Sequence, residues 1–269
     1  TWLEQACEAL DLSSMNVCAK NIRRILGSRY LVAAFADREH AHMKTPWGVL
    51  KYGLWRLDEA TRIWLFATVA ARQDKPFSFL FQAYDSGETE TRVAALKAIN
   101  FVEDDDIESG LELVRDAGRT YLDELLTAAW CNHPFSTANL TNLEYRKAVL
   151  KALFCEVPID GFLELETRAD EEMAISLNDF ANEREAAGRG VPDSVWIVSA
   201  LRPRPGLVAR LVGRLEHPLP RERLVAARAL KNAADPRAKI FLEERLVRED
   251  DAEVAAAIRE AIGTSGATS

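Results

Sequence analysis

The stretch Arg146–Val191, RKAVLKALFCEVPIDGFLELETRADEEMAISLNDFANEREAAGRGV, sets out a helix, a break and a second helix in that order. Val149-Leu150-Lys151-Ala152-Leu153-Phe154 ends the first helix in strong helix formers. Val157-Pro158 interrupts it, because proline lacks a backbone donor and pushes its predecessor out of helical geometry. Asp179-Phe180-Ala181-Asn182-Glu183-Arg184 then closes the second helix, and Ala187-Gly188-Arg189 supplies a glycine stop.

Outward from this stretch the same pattern continues. Thr91–Ile99 (TRVAALKAI) and Glu222–Leu230 (ERLVAARAL) repeat one motif, and Val254–Ile262 (VAAAIREAI) is a looser third copy. Small alanines at helical spacing let neighbouring helices approach closely, while Leu and Ile fill the shared core. Asp235 before Pro236 reads as an N-cap with proline at the first helical position. Sustained period-two alternation is missing, so strands are not expected. The fold expected is all-α, an irregular HEAT-like α-α superhelix built as a helical-hairpin array. Its parts are an N-terminal helical region (1–85), a central region (86–200), C-terminal HEAT-like repeats (201–263) and a tail (264–269), forming one continuous domain.

The first third is less regular. Trp2 to Leu26 reads as one or two amphipathic helices, Arg38 to Pro46 as a polar connection, and Leu57-Asp58-Glu59-Ala60 as a helix start with acids favourable to the dipole. Trp47, Trp55 and Trp64 are expected in the core, since aromatics bury large areas.

Composition narrows the function. With 42 acidic against 34 basic residues the formal net charge is -8, which disfavours sequence-independent nucleic-acid binding. It also argues against a HEAT-like DNA-repair glycosylase, which needs a basic aromatic groove. The basic run Arg202–Arg223 is expected to be a solvated helix edge. Four dispersed cysteines form no CxxC pair, so neither a zinc site nor a redox dithiol is expected, and Cys131 and Cys155 read as buried, reduced thiols. No basic-then-apolar leader is visible at the start. The longest apolar run, Ile63–Ala71, falls well short of the roughly 20 residues that span a bilayer. A cytoplasmic protein without a membrane span is the expectation.

The segment from Leu57 onward resembles EboA, an all-helical bacterial family, most sharply between Asn132 and Val191. The residues that carry the resemblance are Asn132 and Pro134, the run Val149–Phe154, Val157-Pro158, Arg168-Ala169, Asp179, Glu183-Arg184 and Ala187-Gly188-Arg189. The chain departs from the family pattern at Arg146-Lys147, where Asn-Gln is common. It departs again at Asn182 and Glu185, where the family often has His and Trp. The histidine that would be the natural acid-base group is therefore missing. The resemblance implies a helical-repeat protein encoded beside a prenyltransferase, a TatD-like metal hydrolase and a sugar-isomerase-like protein. That group is associated with secondary-metabolite production and movement of a precursor out of the cytoplasm.

Among polar groups, Lys151 stands inside an apolar run and must snorkel, pair with a carboxylate or shift its pKa. Asp179 or Glu183, four apart on one face of the following helix, is the expected carboxylate partner. The pair reads either as a packing contact between helices or, with Arg184, as the lining of a polar pocket. Asn132 is expected to cap a helix end, with His133 beside it in solvent. The six residues Asn132, His133, Lys151, Asp179, Glu183 and Arg184 are the candidate ligand or partner contacts. No catalytic residue, metal ligand or cofactor is expected, since GxSxG, GxxxxGK[ST] and HExxH are all missing from the sequence. The expected function is a non-enzymatic scaffold, adaptor or binding protein whose partner is a protein of the same pathway, its small lipophilic metabolite, or both. The alternative is an enzyme or carrier acting on that metabolite through the polar pocket.

Overall fold

A computed structural model describes residues 12–233 and 235–264. The expected helix start at Trp2, Cys7 and the tail beyond Thr264 lie outside them. The described chain is all-α apart from one two-stranded hairpin. It divides into two compact units, the first ending at Leu163 and the second beginning at Glu164.

The first unit opens with α1 (Leu12–Leu26), followed by strands β1 (His42–Thr45) and β2 (Gly48–Lys51). Then come α2 (Leu57–Ala70), α3 (Pro76–Ser86), α4 (Thr89–Ala98), α5 (Ile107–Arg119), α6 (Asp123–Trp130), α7 (Pro134–Asn139) and α8 (Asn142–Phe154). Helices pack on the next and the next but one, so α2, α4, α6 and α8 form one row and α3, α5 and α7 another. The second unit repeats the scheme. Its helices are α9 (Glu171–Ala186), α10 (Asp193–Ser199), α11 (Leu207–Arg214), α12 (Pro220–Ala233), α13 (Pro236–Arg248) and α14 (Ala252–Thr264). Here α10, α12 and α14 make one row, with α11 and α13 beside them.

The alanine-rich copies fall on α4, α12 and α14. Ala94, Ala95 and Leu96, Ala226, Ala227 and Leu230, and Val254, Ile258 and Ala261 are all buried. Their small side chains are what permits packing on both sides of one row.

The opening stretch folds as its residues require. Thr141 caps α8 by a reciprocal box with Glu144, a contribution of about 1 kcal/mol. At the other end Glu156 takes φ +60°, and Val157 N–H reaches the Ala152 carbonyl at 2.8 Å while Glu156 N–H reaches Leu153 at 3.2 Å. This is a Schellman stop with a non-glycine residue in the left-handed position, sealed by Pro158. Gly188 makes the same stop on α9 at φ +67°, with Arg189 N–H on the Arg184 carbonyl at 2.8 Å.

The hairpin corrects the reading of Arg38–Pro46 as a connection. Its register pairs His42 with Lys51 and Thr45 with Gly48, strands of four residues each, too short for alternation to register. The turn is pinned from below. Trp47 stacks edge-on against Phe135 at 5.0 Å, and its indole N–H donates to the Val102 carbonyl at 3.0 Å.

Candidate functional site

Among the described residues no helix covers one face of α2. Ala60, Ile63, Trp64, Ala67, Thr68 and Ala71 follow the i, i+3, i+4, i+7, i+8, i+11 spacing that puts them in one stripe. They form the wall of a groove of about 690 Å³. The opposite face, with Leu65, Phe66, Val69 and Ala70, is completely buried in the helix rows. Leu31, Met43, Tyr52, Trp55 and Phe101 complete the groove, and Arg72 stands at it. The lining is therefore apolar and aromatic with few polar groups, the composition expected of a small-molecule site.

Trp64 was expected in the core and is not there. It is 49% exposed, whereas Trp55 is buried at 9% and stacks on Phe101 at 6.1 Å. A tryptophan whose ring is half in water at the mouth of an apolar groove leaves much of its burial energy unrealised. Leu31 and Met43 are also more than a third exposed. The groove thus keeps three large apolar side chains in water.

The groove rim is held by backbone contacts. Leu31 N–H donates to the Trp55 carbonyl at 2.9 Å, and Tyr52 N–H to Ala41 at 2.9 Å. The Arg38 carbonyl rests directly on Gly53, where a Cβ would come within 2.0 Å of that oxygen. Arg38 in turn lies over the Tyr30 ring at 3.7 Å and donates to the Val32 carbonyl. Only glycine at 53 allows the loop to sit against the hairpin this closely.

The six candidate polar residues do not gather at this groove. Asn132 adopts φ +50° just past α6 and acts as the expected helix-end residue. Its amide also binds both backbone polar groups of Lys51, accepting from the N–H at 2.9 Å and donating to the carbonyl. His133 is completely buried, contrary to the expectation of a solvated ring. Nδ1 accepts the Ser136 N–H at 3.1 Å, capping α7, and Nε2 donates to the Leu96 carbonyl at 2.9 Å. Burial drives its pKa down to about 4, with the Lys97 charge adding to the fall and the Leu96 bond opposing it. The ring is a neutral structural cap. Histidine is a rare N-cap, which is why the sequence did not disclose it.

Lys151 donates to the Gly118 carbonyl at 2.6 Å and lies 4.5 Å above the Tyr121 ring. Its charge serves the C-terminal end of α5, where cations are favourable. It also lines a separate small groove of about 230 Å³ with Arg115, Trp130 and Lys147. Asp179, Glu183 and Arg184 belong to the second unit, on α9. Asp179 and Glu183 are exposed, and Arg184 donates to the Gly190 carbonyl at 2.7 Å.

The basic run is a solvated edge only in part: Arg202 and Arg221 are exposed, and the other arginines are engaged. Arg210 and Arg214 each lie 4.6 Å over the Trp196 ring and pair with Glu185, while Arg214 also pairs with Glu222. Arg223 is buried and grips Glu249 through two bonds of 2.8 and 2.7 Å. Arg245 adds two more at 3.0 Å, and Arg223 leads the causes that hold the Glu249 carboxyl down to about 2. Cys131 and Cys155 are half-buried rather than fully enclosed, and desolvation pushes the Cys131 thiol up to about 11. Among the described residues no three His, Cys, Asp or Glu side chains converge as metal ligands, and no helix is long and apolar enough to cross a membrane.

A sequence profile of the family described as metabolite traffic protein EboA matches residues 1–200. The chain belongs to the EboA family. The match includes every residue of the α2 groove and all six polar candidates, while α11 to α14 lie beyond it. No curated protein and no solved structure matches the chain. Asn182 and Glu185, the two departures from the expected pattern, contact arginines here. Arg210 donates to the Asn182 side chain at 2.8 Å and pairs with Glu185.

Proposed function

We propose that this EboA-family chain is a non-enzymatic binding protein for a small lipophilic metabolite of a secondary-metabolite pathway, and that the α2 groove is where the metabolite lies. The observation that carries this reading is Trp64, half exposed in a wall of Ile63, Ala67, Trp55 and Phe101. Water gains nothing from such a surface, and a ligand covering it recovers roughly 25 cal/mol per Å² of apolar area. The family description, metabolite traffic, agrees with a protein that holds a molecule without changing it. So does the chemistry of the lining, where aromatic and aliphatic groups outnumber groups able to transfer a proton or attack a bond.

Capture of the full chain from its native cell, followed by organic extraction and mass spectrometry, tests the reading. An apolar small molecule should accompany the wild-type chain and be missing from Thr68→Phe, which fills the groove. Recovery of the same molecules with both chains, or of none, contradicts it.

A further inference from the structure

The groove takes Leu31, Met43, Tyr52 and Trp55 from a basic stretch of an acidic chain. Residues 20–56 carry eight Lys or Arg against two carboxylates, although the whole chain has a formal net charge of -8. The same segment displays large apolar side chains to solvent, with Phe35 at 79%, Leu54 at 73% and Val49 at 49% exposure. Arg29, Lys44 and Lys51 are exposed there, with no carboxylate partner among the described residues. In the hairpin register Lys44 faces Val49 and His42 faces Lys51, so one face of the hairpin presents two lysines around a valine. The second unit treats its arginines differently, tying Arg210, Arg214, Arg221 and Arg223 to carboxylates.

We infer that residues 29–56 dock the protein on an anionic lipid bilayer surface, with Phe35 and Leu54 entering the interface and Lys44 and Lys51 facing lipid headgroups. Each element answers a separate requirement of that partner. Exposed aromatic and aliphatic tips partition into the headgroup–acyl boundary, and lysines beside them are attracted to anionic headgroups. Each Lys or Arg brought to such a surface raises binding about fivefold. A phosphate backbone would use the lysines and leave Phe35 and Leu54 in water, which is why a lipid surface fits better than a nucleic acid. The loop is rigid enough to present these side chains, because Gly53 receives the Arg38 carbonyl and Arg38 stacks on Tyr30. Leu31 and Met43, on the same segment, line the α2 groove, with Met43 on the hairpin face opposite Lys44 and Lys51. The inference stands independently of what the groove holds.

Cosedimentation of the full chain with vesicles decides it. Vesicles of equal parts phosphatidylcholine and phosphatidylglycerol should bind at least about tenfold more tightly than phosphatidylcholine alone, and raised salt should release the chain. Lys44→Glu with Lys51→Glu, and separately Phe35→Asp with Leu54→Asp, should each abolish binding. All four side chains are exposed, so the variants should fold, as circular dichroism will show. Arg228→Glu with Lys239→Glu in the second unit makes the same change of net charge and should leave binding within about twofold. Thr68→Phe should still bind vesicles, which separates this result from failure of the groove reading. No sedimentation with anionic vesicles at low salt, equal loss in the second-unit variant, or preference for a DNA duplex over the vesicles overturns the inference.

Discussion

Two tryptophans, one in each unit, have opposite fates. Trp196 on α10 is 1% exposed beneath two arginines, and those arginines are themselves held by Glu185 and Glu222. Trp64 on α2 is 49% exposed and forms a groove wall. Both lie on helices of rows that pack in the same manner, so row packing does not decide the difference. The neighbours do. The second unit covers Trp196 with two arginines and answers both with carboxylates, whereas the first leaves Trp64 half in water. The contrast teaches that in this chain the polar side chains are mostly structural and the exposed apolar ones are the candidates for function.

The contrast breaks most visibly at the buried pair of the second unit. Arg223→Ala leaves the enclosed Glu249 carboxylate to Arg245 alone and should lower stability by about 3 kcal/mol in urea denaturation. A loss below about 1 kcal/mol, the figure for surface pairs, would show the pair to be solvated. Acid separates the two units by window. His133 is about 4 folded against 6.5 in its ordinary state, so the unfolded chain binds the proton first. Its contribution is complete above pH 6.5 and is lost as pH falls from there toward 4, by about 3 kcal/mol in all. Glu249, about 2 against 4.5, loses its contribution only as pH falls from 4.5 toward 2. The wild-type urea midpoint should therefore decline between pH 6.5 and 4.5, and His133→Gln should flatten that decline while Glu249→Gln leaves it in place.

The effects on the first unit's groove should be smaller and confined to binding. Trp64→Ala should weaken an apolar ligand about tenfold, because one stacking face is lost. Its stability should change by less than about 1 kcal/mol, since half the ring is already in water. Gly53→Ala should lower affinity more modestly by lifting the loop off the hairpin, measured in the same binding titration with thermal unfolding as control. If Trp64→Ala instead unfolds the chain, the ring is a core residue and the contrast with Trp196 disappears.

Much of the architecture was legible from residues. The alanine motifs named three row helices, Val157-Pro158 and Gly188 marked two helix ends, and Asp235-Pro236 gave a cap whose Asp235 carboxylate accepts the Arg237 N–H at 2.9 Å. The hairpin was not legible, because four-residue strands carry too little alternation and Trp47 holds the turn through distant Phe135 and Val102. The groove was half legible. Ile63–Ala71 is an apolar run, but a run apolar on both faces reads as core, and nothing in it says which face stays open. His133, Lys151 and Arg223 misled for the converse reason. Their partners are backbone carbonyls, a ring or a carboxylate many residues away, and no local spacing encodes them.

The central claim is that the exposed face of α2 is a binding site for an apolar small molecule. Titration of the full chain with an uncharged solvatochromic dye such as Nile red tests it most directly. The account predicts one saturable site per chain, with a blue-shifted emission that disappears in Thr68→Phe and persists in a variant of the second unit such as Arg228→Glu. Dye binding of equal strength in Thr68→Phe, or no saturable binding to the wild type, would contradict it.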